Sequence, residues 1–107
     1  MSTKKQLKRI GKLTSLQLTE ASESKYTILA HTCEELGEAS RAMCIEDSSR
    51  LKKHKKLDEP ARSECVDLTI CAISLFFANG GTIEELNSIM DAKLDKWENT
   101  FISASKK

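Results

Sequence analysis

The chain has 107 residues, which is enough for one domain with a modest core and too few for two. Its 17 basic and 16 acidic residues give a formal net charge of +1, which excludes a uniformly basic surface and makes nucleic acid an unexpected partner. No apolar run approaches the length of a membrane span, and the basic N-terminus lacks the apolar stretch of a signal peptide, so we expect a cytoplasmic protein without a membrane partner.

The composition favours an all-α fold, because the chain has one proline and four glycines and shows almost no strand-like alternation. We predict a four- to five-helix bundle in a single domain, residues 1–107. The first helix is predicted over residues 5–18, where apolar residues recur among lysines: Leu7, Ile10, Leu13, Leu16 and Leu18.

A second helix is predicted to follow the small polar segment Thr19 to Ser24, which offers several N-caps, and to run to about Ile45. Its main apolar side consists of Leu29, Cys33, Leu36, Ser40, Met43 and Cys44. Its opposite side consists of His31, Glu34, Glu35, Glu38 and Arg41. This helix is therefore expected to have two interacting faces, one of them acidic.

A charged run, Arg50 to Lys56, follows the second helix. Its lysines are able to attract nucleotide phosphates or nucleic acid, but no aromatic residue is interleaved with them. We interpret the run as a solvated loop that folds over a neighbouring site.

A third helix is predicted to begin near Asp58-Glu59-Pro60, because proline is favoured in a first helical turn and an acid just before it can cap. The helix continues to Asn79 and is apolar on nearly every side from Cys65 to Ala78. A helix of this kind is normally buried all round, which a monomer of this size can hardly achieve. We therefore predict that a homodimer or homotetramer completes the core, through Ile70, Ile73, Phe76 or Phe77.

The last helix is predicted between Asn79-Gly80-Gly81, which ends the third helix, and about Phe101. Thr82-Ile83-Glu84-Glu85 has the form of a capping box at its start. Its apolar face consists of Ile83, Leu86, Ile89, Met90, Leu94, Trp97 and Phe101, with Lys93 inside the same arc.

The four cysteines, Cys33, Cys44, Cys65 and Cys71, have neither the CxxC spacing of a zinc or redox site nor the setting of a disulfide framework. All four fall in apolar helical stretches. We interpret them as buried thiols that act as small hydrophobic residues.

Two pairs of acids share the same spacing: Glu35 with Glu38, and Glu64 with Asp67. Residues three apart lie on one face of a helix, so two such helices packed together bring four carboxylates to one point. Like charges so close repel unless a cation lies among them or some acids are protonated. An all-oxygen donor set suits Mg²⁺ or Mn²⁺, although these acids also have the simpler option of capping a helix or pairing with Arg41 and Arg62.

Di-iron carboxylate bundles also use helical acids, but with a histidine three residues after the glutamate. Here no histidine stands three residues after any of these acids, so a redox di-iron centre is disfavoured.

Glu34-Glu35-x-x-Glu38, then 25 residues, then Glu64-x-x-Asp67 resembles the EExxE…ExxD signature of the MazG-like all-α nucleoside triphosphate pyrophosphohydrolases. The resemblance extends from about Thr32 to Trp97. It implies hydrolysis of a nucleoside triphosphate to the monophosphate and pyrophosphate, with Mg²⁺ as cofactor. It further implies Glu35, Glu38, Glu64 and Asp67 as metal ligands, and Glu34 as the acid that positions or deprotonates water.

Four further residues are candidates for substrate binding. Lys93, on an apolar face, and Lys96, at its edge, are candidate partners of the leaving pyrophosphate, although the Lys93 stem also has the option of packing with its ammonium in water. His31 lies on the acidic face, where it is placed to touch base or sugar, or to be exposed without a role. Trp97 is able to stack on a base, but a lone tryptophan in an apolar stripe is usually a core residue.

Our leading hypothesis from the sequence is a Mg²⁺-dependent pyrophosphohydrolase that removes non-canonical or surplus nucleotides from the pool. Phosphoribosyl-ATP pyrophosphohydrolase, an enzyme of histidine biosynthesis with the same fold and acids, is a close alternative. A catalytically silent helical dimerisation or regulatory module is an alternative from another class.

Overall fold

The computed structural model describes residues 3–48, 57 and 59–105, with side chains up to Ile102. Four helices make up this part of the chain: α1 (Thr3–Thr19), α2 (Lys25–Asp47), α3 (Ala61–Ala78) and α4 (Ile83–Ser105). The described residues contain no strand, and the all-α prediction is confirmed. The charged run Arg50 to Lys56, for which we predicted a solvated loop, lies outside the described residues.

The turn between α1 and α2 contains the predicted cap. Ser22 has a φ of 53° in the left-handed region, and Ser24 then caps α2 by accepting a hydrogen bond from the Thr27 N–H at 3.4 Å. Gln17 Nε2 donates to Glu23 Oε2 at 3.3 Å and so ties the end of α1 to this turn.

The start of α3 is capped from a distance. Pro60 precedes the helix and makes no side-chain cap, whereas the Ala61 N–H donates to Glu46 Oε2 at 2.7 Å. Glu46 lies in the last turn of α2, so one hydrogen bond joins the end of α2 to the beginning of α3.

The turn from α3 to α4 follows the sequence prediction. Gly80 has a φ of 87°, a conformation that suits glycine, and Thr82 Oγ1 accepts from the Glu85 N–H at 3.1 Å. A Cβ at Gly81 would collide with the ring of Phe76, so the close approach of this turn also requires glycine.

Helix α3 lies between α2 and α1, and α4 packs chiefly against α1. The buried apolar side chains are those of Leu7, Ile28, Ala39, Ala42 and Ile45. Across the α1–α3 contact, the buried hydroxyls of Thr14 and Ser74 lie 2.6 Å apart, and Thr14 Oγ1 also donates to the Ile10 carbonyl at 2.8 Å.

The predicted apolar side of α2 is not the side that forms the core. Leu29, Leu36 and Met43 are 44%, 57% and 57% exposed, whereas Ala39 and Ala42 are buried against α3. Small side chains allow two helices to approach closely, and this packing uses the alanine side of α2 instead of the leucine side.

The prediction of buried thiols is also wrong, because Cys33, Cys44 and Cys65 are exposed and Cys71 is half-buried. The α3 helix is apolar as predicted, but Val66 and Ile70 are 57% and 45% exposed. On α4 the predicted apolar face is likewise open, with Trp97 and Phe101 each 63% exposed.

Within the described ranges, no single helix combines the length and the apolar composition that crossing a membrane requires. The helices α3 and α4 meet that criterion only as a pair, and they are bent by 118° with respect to each other.

Candidate metal centre

The candidate site lies between α2 and the first turns of α3. Glu35 stands on the packed side of α2, one helical turn before the buried Ala39. Glu64 is in the first turn of α3, and Asp67 follows three residues later on the same face. The close approach of the two helices at Ala39 and Ala42 therefore brings acids from both helices together.

One carboxylate oxygen from each of Glu35, Glu64 and Asp67 lies within 4.8 Å of the other two. Two ligands on opposite sides of an octahedral Mg²⁺ lie about 4 Å apart, because each Mg–O bond is about 2.1 Å long. The spacing of the three carboxylates is therefore compatible with a shared cation.

Two oxygen atoms of this cluster, Glu35 Oε2 and Glu64 Oε2, are buried and have no hydrogen-bond partner among the residues that the structure describes. Buried polar atoms in folded proteins nearly always have a partner. Unpartnered carboxylate oxygens on two neighbouring acids are compatible with a site for a cation. The donor set is made of carboxylate oxygens, which fits Mg²⁺ or Mn²⁺.

Two carboxyl groups of the cluster, those of Glu35 and Glu64, have raised pKa values. Burial raises the pKa of Glu35, and the negative charges of Glu38 and Asp67 raise it further. Burial also raises the pKa of Glu64, with added repulsion from Glu38, Glu59, Asp67 and Glu35. A cation bound among these groups would relieve that repulsion.

The structure brings three of the four predicted ligands into one cluster and places the fourth, Glu38, beside it. The negative charge of Glu38 contributes to the raised pKa of Glu35, after the larger effect of burial. Glu34, the predicted catalytic acid, is exposed, and its Oε2 lies 3.8 Å from His31 Nδ1. His31 and Glu34 therefore form a pair at the rim, one turn from the cluster.

Lys93, Lys96 and Trp97 do not join the acids in the described chain. All three are exposed on α4, and none of them lines the acid cluster or the cavity beside it. The Trp97 ring lies against the Phe101 ring, with 6.2 Å between the ring centroids. Their roles in substrate binding stay predictions.

A cavity of about 710 Å³ opens beside the cluster, between α1, α2 and α3. Glu35 belongs both to its wall and to the cluster, and His31 also lines it. Glu20 is a second acid in the wall, and most of the other lining residues are apolar or neutral, among them Ile10, Leu13, Thr14, Ile28, Ile70, Cys71 and Ser74. Pockets for small molecules are of this size and character.

Sequence reasoning missed two residues near the acids. Glu59 contributes its charge to the environment of Glu64, and Cys71 lines the cavity. Burial raises the pKa of the Cys71 thiol, and the charges of Glu35 and Asp67 raise it further. Cys71 stands one helical turn after Asp67, so its position on the acidic side of α3 was available from spacing alone.

Comparison of the chain with protein-family models, with curated proteins and with solved structures gave no match. The interpretation of the site therefore depends on its own chemistry.

Proposed function

We propose that the chain is a Mg²⁺-dependent nucleoside triphosphate pyrophosphohydrolase of the MazG-like type, which converts a (d)NTP and water to the (d)NMP and pyrophosphate. The observation that carries the proposal is the pair of buried, unpartnered oxygens of Glu35 and Glu64. They lie in a three-carboxylate cluster that opens onto a cavity of nucleotide size.

In this proposal Glu35, Glu64 and Asp67 hold the metal, and Glu38 contributes further negative charge to the same site. Bound Mg²⁺ would supply charge neutralisation for the triphosphate, which is the main requirement of phosphoryl transfer. Mn²⁺ has similar ligand preferences.

Glu34 is the proposed base for the attacking water. Its exposed carboxylate lies at the rim beside the cluster, with Oε2 3.8 Å from His31 Nδ1. The cavity then receives the nucleoside half of the substrate, since Glu35 and His31 line it.

The remaining predicted contacts require a second copy of the chain. Lys93, Lys96 and Trp97 stand on α4, whose apolar face is open to solvent. We propose a homodimer or homotetramer, in which α4 of one copy brings its lysines to the phosphates bound by another copy. A cytoplasmic location fits an enzyme that cleans the nucleotide pool.

The test is pyrophosphate release from a panel of nucleotides, with and without Mg²⁺. Wild-type protein should release pyrophosphate only with the metal, and Glu64→Gln should not. Glu84→Gln is a matched control, because Glu84 is an exposed acid on α4. It should behave as wild type.

The same panel separates the alternatives. Hydrolysis confined to phosphoribosyl-ATP would identify the histidine-pathway reaction. Absence of release from every nucleotide, in a protein that is folded and binds Mg²⁺, would contradict the proposal and favour a silent helical module.

A further inference from the structure

One side of α2 is exposed and uncharged in the part of the chain that the structure describes. We call it the outer face of α2, and it consists of Tyr26, Leu29, Ala30, Cys33, Leu36, Gly37, Ser40, Met43 and Cys44. All of these residues are exposed and none is charged, in a chain of which 31% is charged. A solvated helix side of this length normally carries charges. Something other than water is therefore expected to cover it.

The spacing of the outer face indicates that its partner is a helix. The positions 26, 29, 33, 36, 40 and 43 are separated by alternating steps of three and four residues. Such steps make an a/d seam, in which side chains of one helix insert between those of another. The seam extends over about 26 Å, at 1.5 Å per residue.

The edge of the seam is made of small residues, since Ala30, Gly37 and Cys44 recur every seven positions. Glycine in the middle of a helix weakens it. A Cβ at Gly37 would meet nothing within 4 Å among the described residues, so no contact among them explains the glycine. A second backbone that approaches closely along this edge would explain it.

We infer that the outer face of α2 pairs with the same face of a second copy, with the two α2 helices antiparallel. In this arrangement the numbers of two residues that face each other add up to 69. Each position of the seam therefore faces another position of the same seam on the second copy. Leu29 faces the partner's Ser40, Leu36 faces the partner's Cys33, and Tyr26 faces the partner's Met43. Each leucine is thus set opposite a small side chain, as close packing requires.

This pairing leaves the acid cluster accessible. Glu35 lies with Ile28 and Ala39 on the side of α2 that packs against α3, and the outer face lies on the opposite side. The inference therefore does not depend on the proposed activity, and either can fail without the other.

The interface is small. A standard interface uses 20 to 30 residues on each side, and the outer face supplies nine residues. We therefore expect dissociation in the micromolar range, which sedimentation measured over a range of concentrations detects.

The first experiment compares two lysine substitutions at equally exposed apolar positions. Leu36 and Val66 are both 57% exposed, and only Leu36 belongs to the outer face. Leu36→Lys should weaken dimerisation by about 30-fold or more. Val66→Lys, on α3, should change it less than about 3-fold. A wild-type monomer at 100 µM, or a dimer that Leu36→Lys leaves intact, would overturn the inference.

Gly37→Leu separates pairing from folding. The larger side chain has free space in the single chain and favours the helix, so the thermal midpoint of dilute protein should stay constant or rise. Dimerisation should weaken about 10-fold, because the side chain would press on the second helix. Unchanged dimerisation would contradict close approach at Gly37.

Cross-linking by diamide tests the antiparallel direction, in a parent that carries Cys44→Ser and Cys65→Ser. Antiparallel pairing sets the two Cys33 residues about three positions out of register, too far apart for a disulfide. The parent should therefore stay uncross-linked. Adding Leu36→Cys should allow a covalent dimer, and adding Cys33→Ser to that variant should abolish it again. A covalent dimer of the parent would show parallel pairing and overturn the inference.

Discussion

The central helix α3 has buried polar groups on two sides, one towards α1 and one towards α2. Among the described residues, only the group towards α1 is hydrogen-bonded. Towards α1, the hydroxyls of Thr14 and Ser74 are 2% and 8% exposed and lie 2.6 Å apart. Thr14 donates its proton to Ile10, so Ser74 must donate to Thr14 if both contacts are hydrogen bonds. Towards α2, the buried oxygens of Glu35 and Glu64 have no partner.

A satisfied polar pair needs nothing further, whereas an unsatisfied acidic pair has hydrogen-bonding capacity left over. The difference teaches that burial of a polar group by itself does not identify a site. The unmet capacity of Glu35 and Glu64 among the described residues, together with their raised pKa values, is the reason for proposing a cation there.

The largest expected effect is on pyrophosphate release, after a substitution in the acid cluster. Asp67→Asn should lower the proposed pyrophosphate release by about 100-fold or more, because it removes the charge of a proposed metal ligand without changing the shape of the side chain. Circular dichroism should show unchanged helical content. Near-normal turnover in Asp67→Asn would remove the acid cluster from the mechanism.

The second prediction concerns metal binding and stability. Mg²⁺ at about 100 times its dissociation constant should stabilise the protein by about 2.7 kcal/mol, which is roughly a 10 °C rise in the thermal midpoint for a domain of this size. The rise should be absent in Asp67→Asn and present in Thr14→Val. Equal shifts in wild type and Asp67→Asn would show that the ion binds elsewhere.

The third prediction breaks the satisfied contact. Thr14→Val should destabilise the fold by about 1–3 kcal/mol, because it leaves the Ser74 hydroxyl buried without its acceptor. Thr19→Val is the matched control, since Thr19 Oγ1 donates to the Ser15 carbonyl at an exposed position. Urea denaturation of both variants measures the difference, and an equal loss in both would show that burial of the hydroxyl pair is unimportant.

The smallest effect is the pH dependence of the metal-free protein. The folded-state pKa values of Glu35 and Glu64 are raised, so these groups favour the fold when protonated. Their contribution is fully present below the ordinary glutamate pKa and is lost as the pH rises through the raised values. Glu64→Gln should therefore gain stability relative to wild type as the pH rises from about 4.5.

Mg²⁺ should remove this difference between Glu64→Gln and wild type by stabilising the ionised wild-type cluster. Denaturation curves at several pH values, with and without the ion, measure it. If the difference in stability between Glu64→Gln and wild type did not depend on pH, the raised pKa of Glu64 would be contradicted.

Local chemistry made the helix boundaries predictable. Ser24, Gly80 and Thr82 act through neighbours within four residues, and all three function as the sequence predicts. The Glu46 cap on Ala61 was not predictable in this way, because it joins residues that are 15 apart in the chain.

The packing of α2 shows why the core was harder to predict. Leu29 and Leu36 form a stronger apolar stripe than Ala39 and Ala42, yet the alanines are the buried set. An apolar stripe has the same sequence pattern whether it faces its own chain or another copy. Hydrophobicity alone therefore cannot assign it to the core.

The acid cluster was predictable to the extent that it depends on spacing. Steps of three residues predicted that four acids converge, and the structure groups three of them, Glu35, Glu64 and Asp67, with Glu38 outside the group. The charge of Glu59 helps to raise the pKa of Glu64, but Glu59 lies before the start of α3. Spacing within a helix therefore could not predict its position. The same limit applies to Lys93 and Lys96, whose relation to the acids depends on where α4 packs.

The hydrogen bond from Ala61 to Glu46 also has an evolutionary consequence. It fastens the end of α2 to the start of α3, about three helical turns after Glu35 and one turn before Glu64. The axial register of the two acid-bearing helices is therefore set at this junction. Insertions, deletions and changes of charge in the connecting segment are therefore expected to leave the positions of Glu35 and Glu64 unchanged as long as this hydrogen bond is kept.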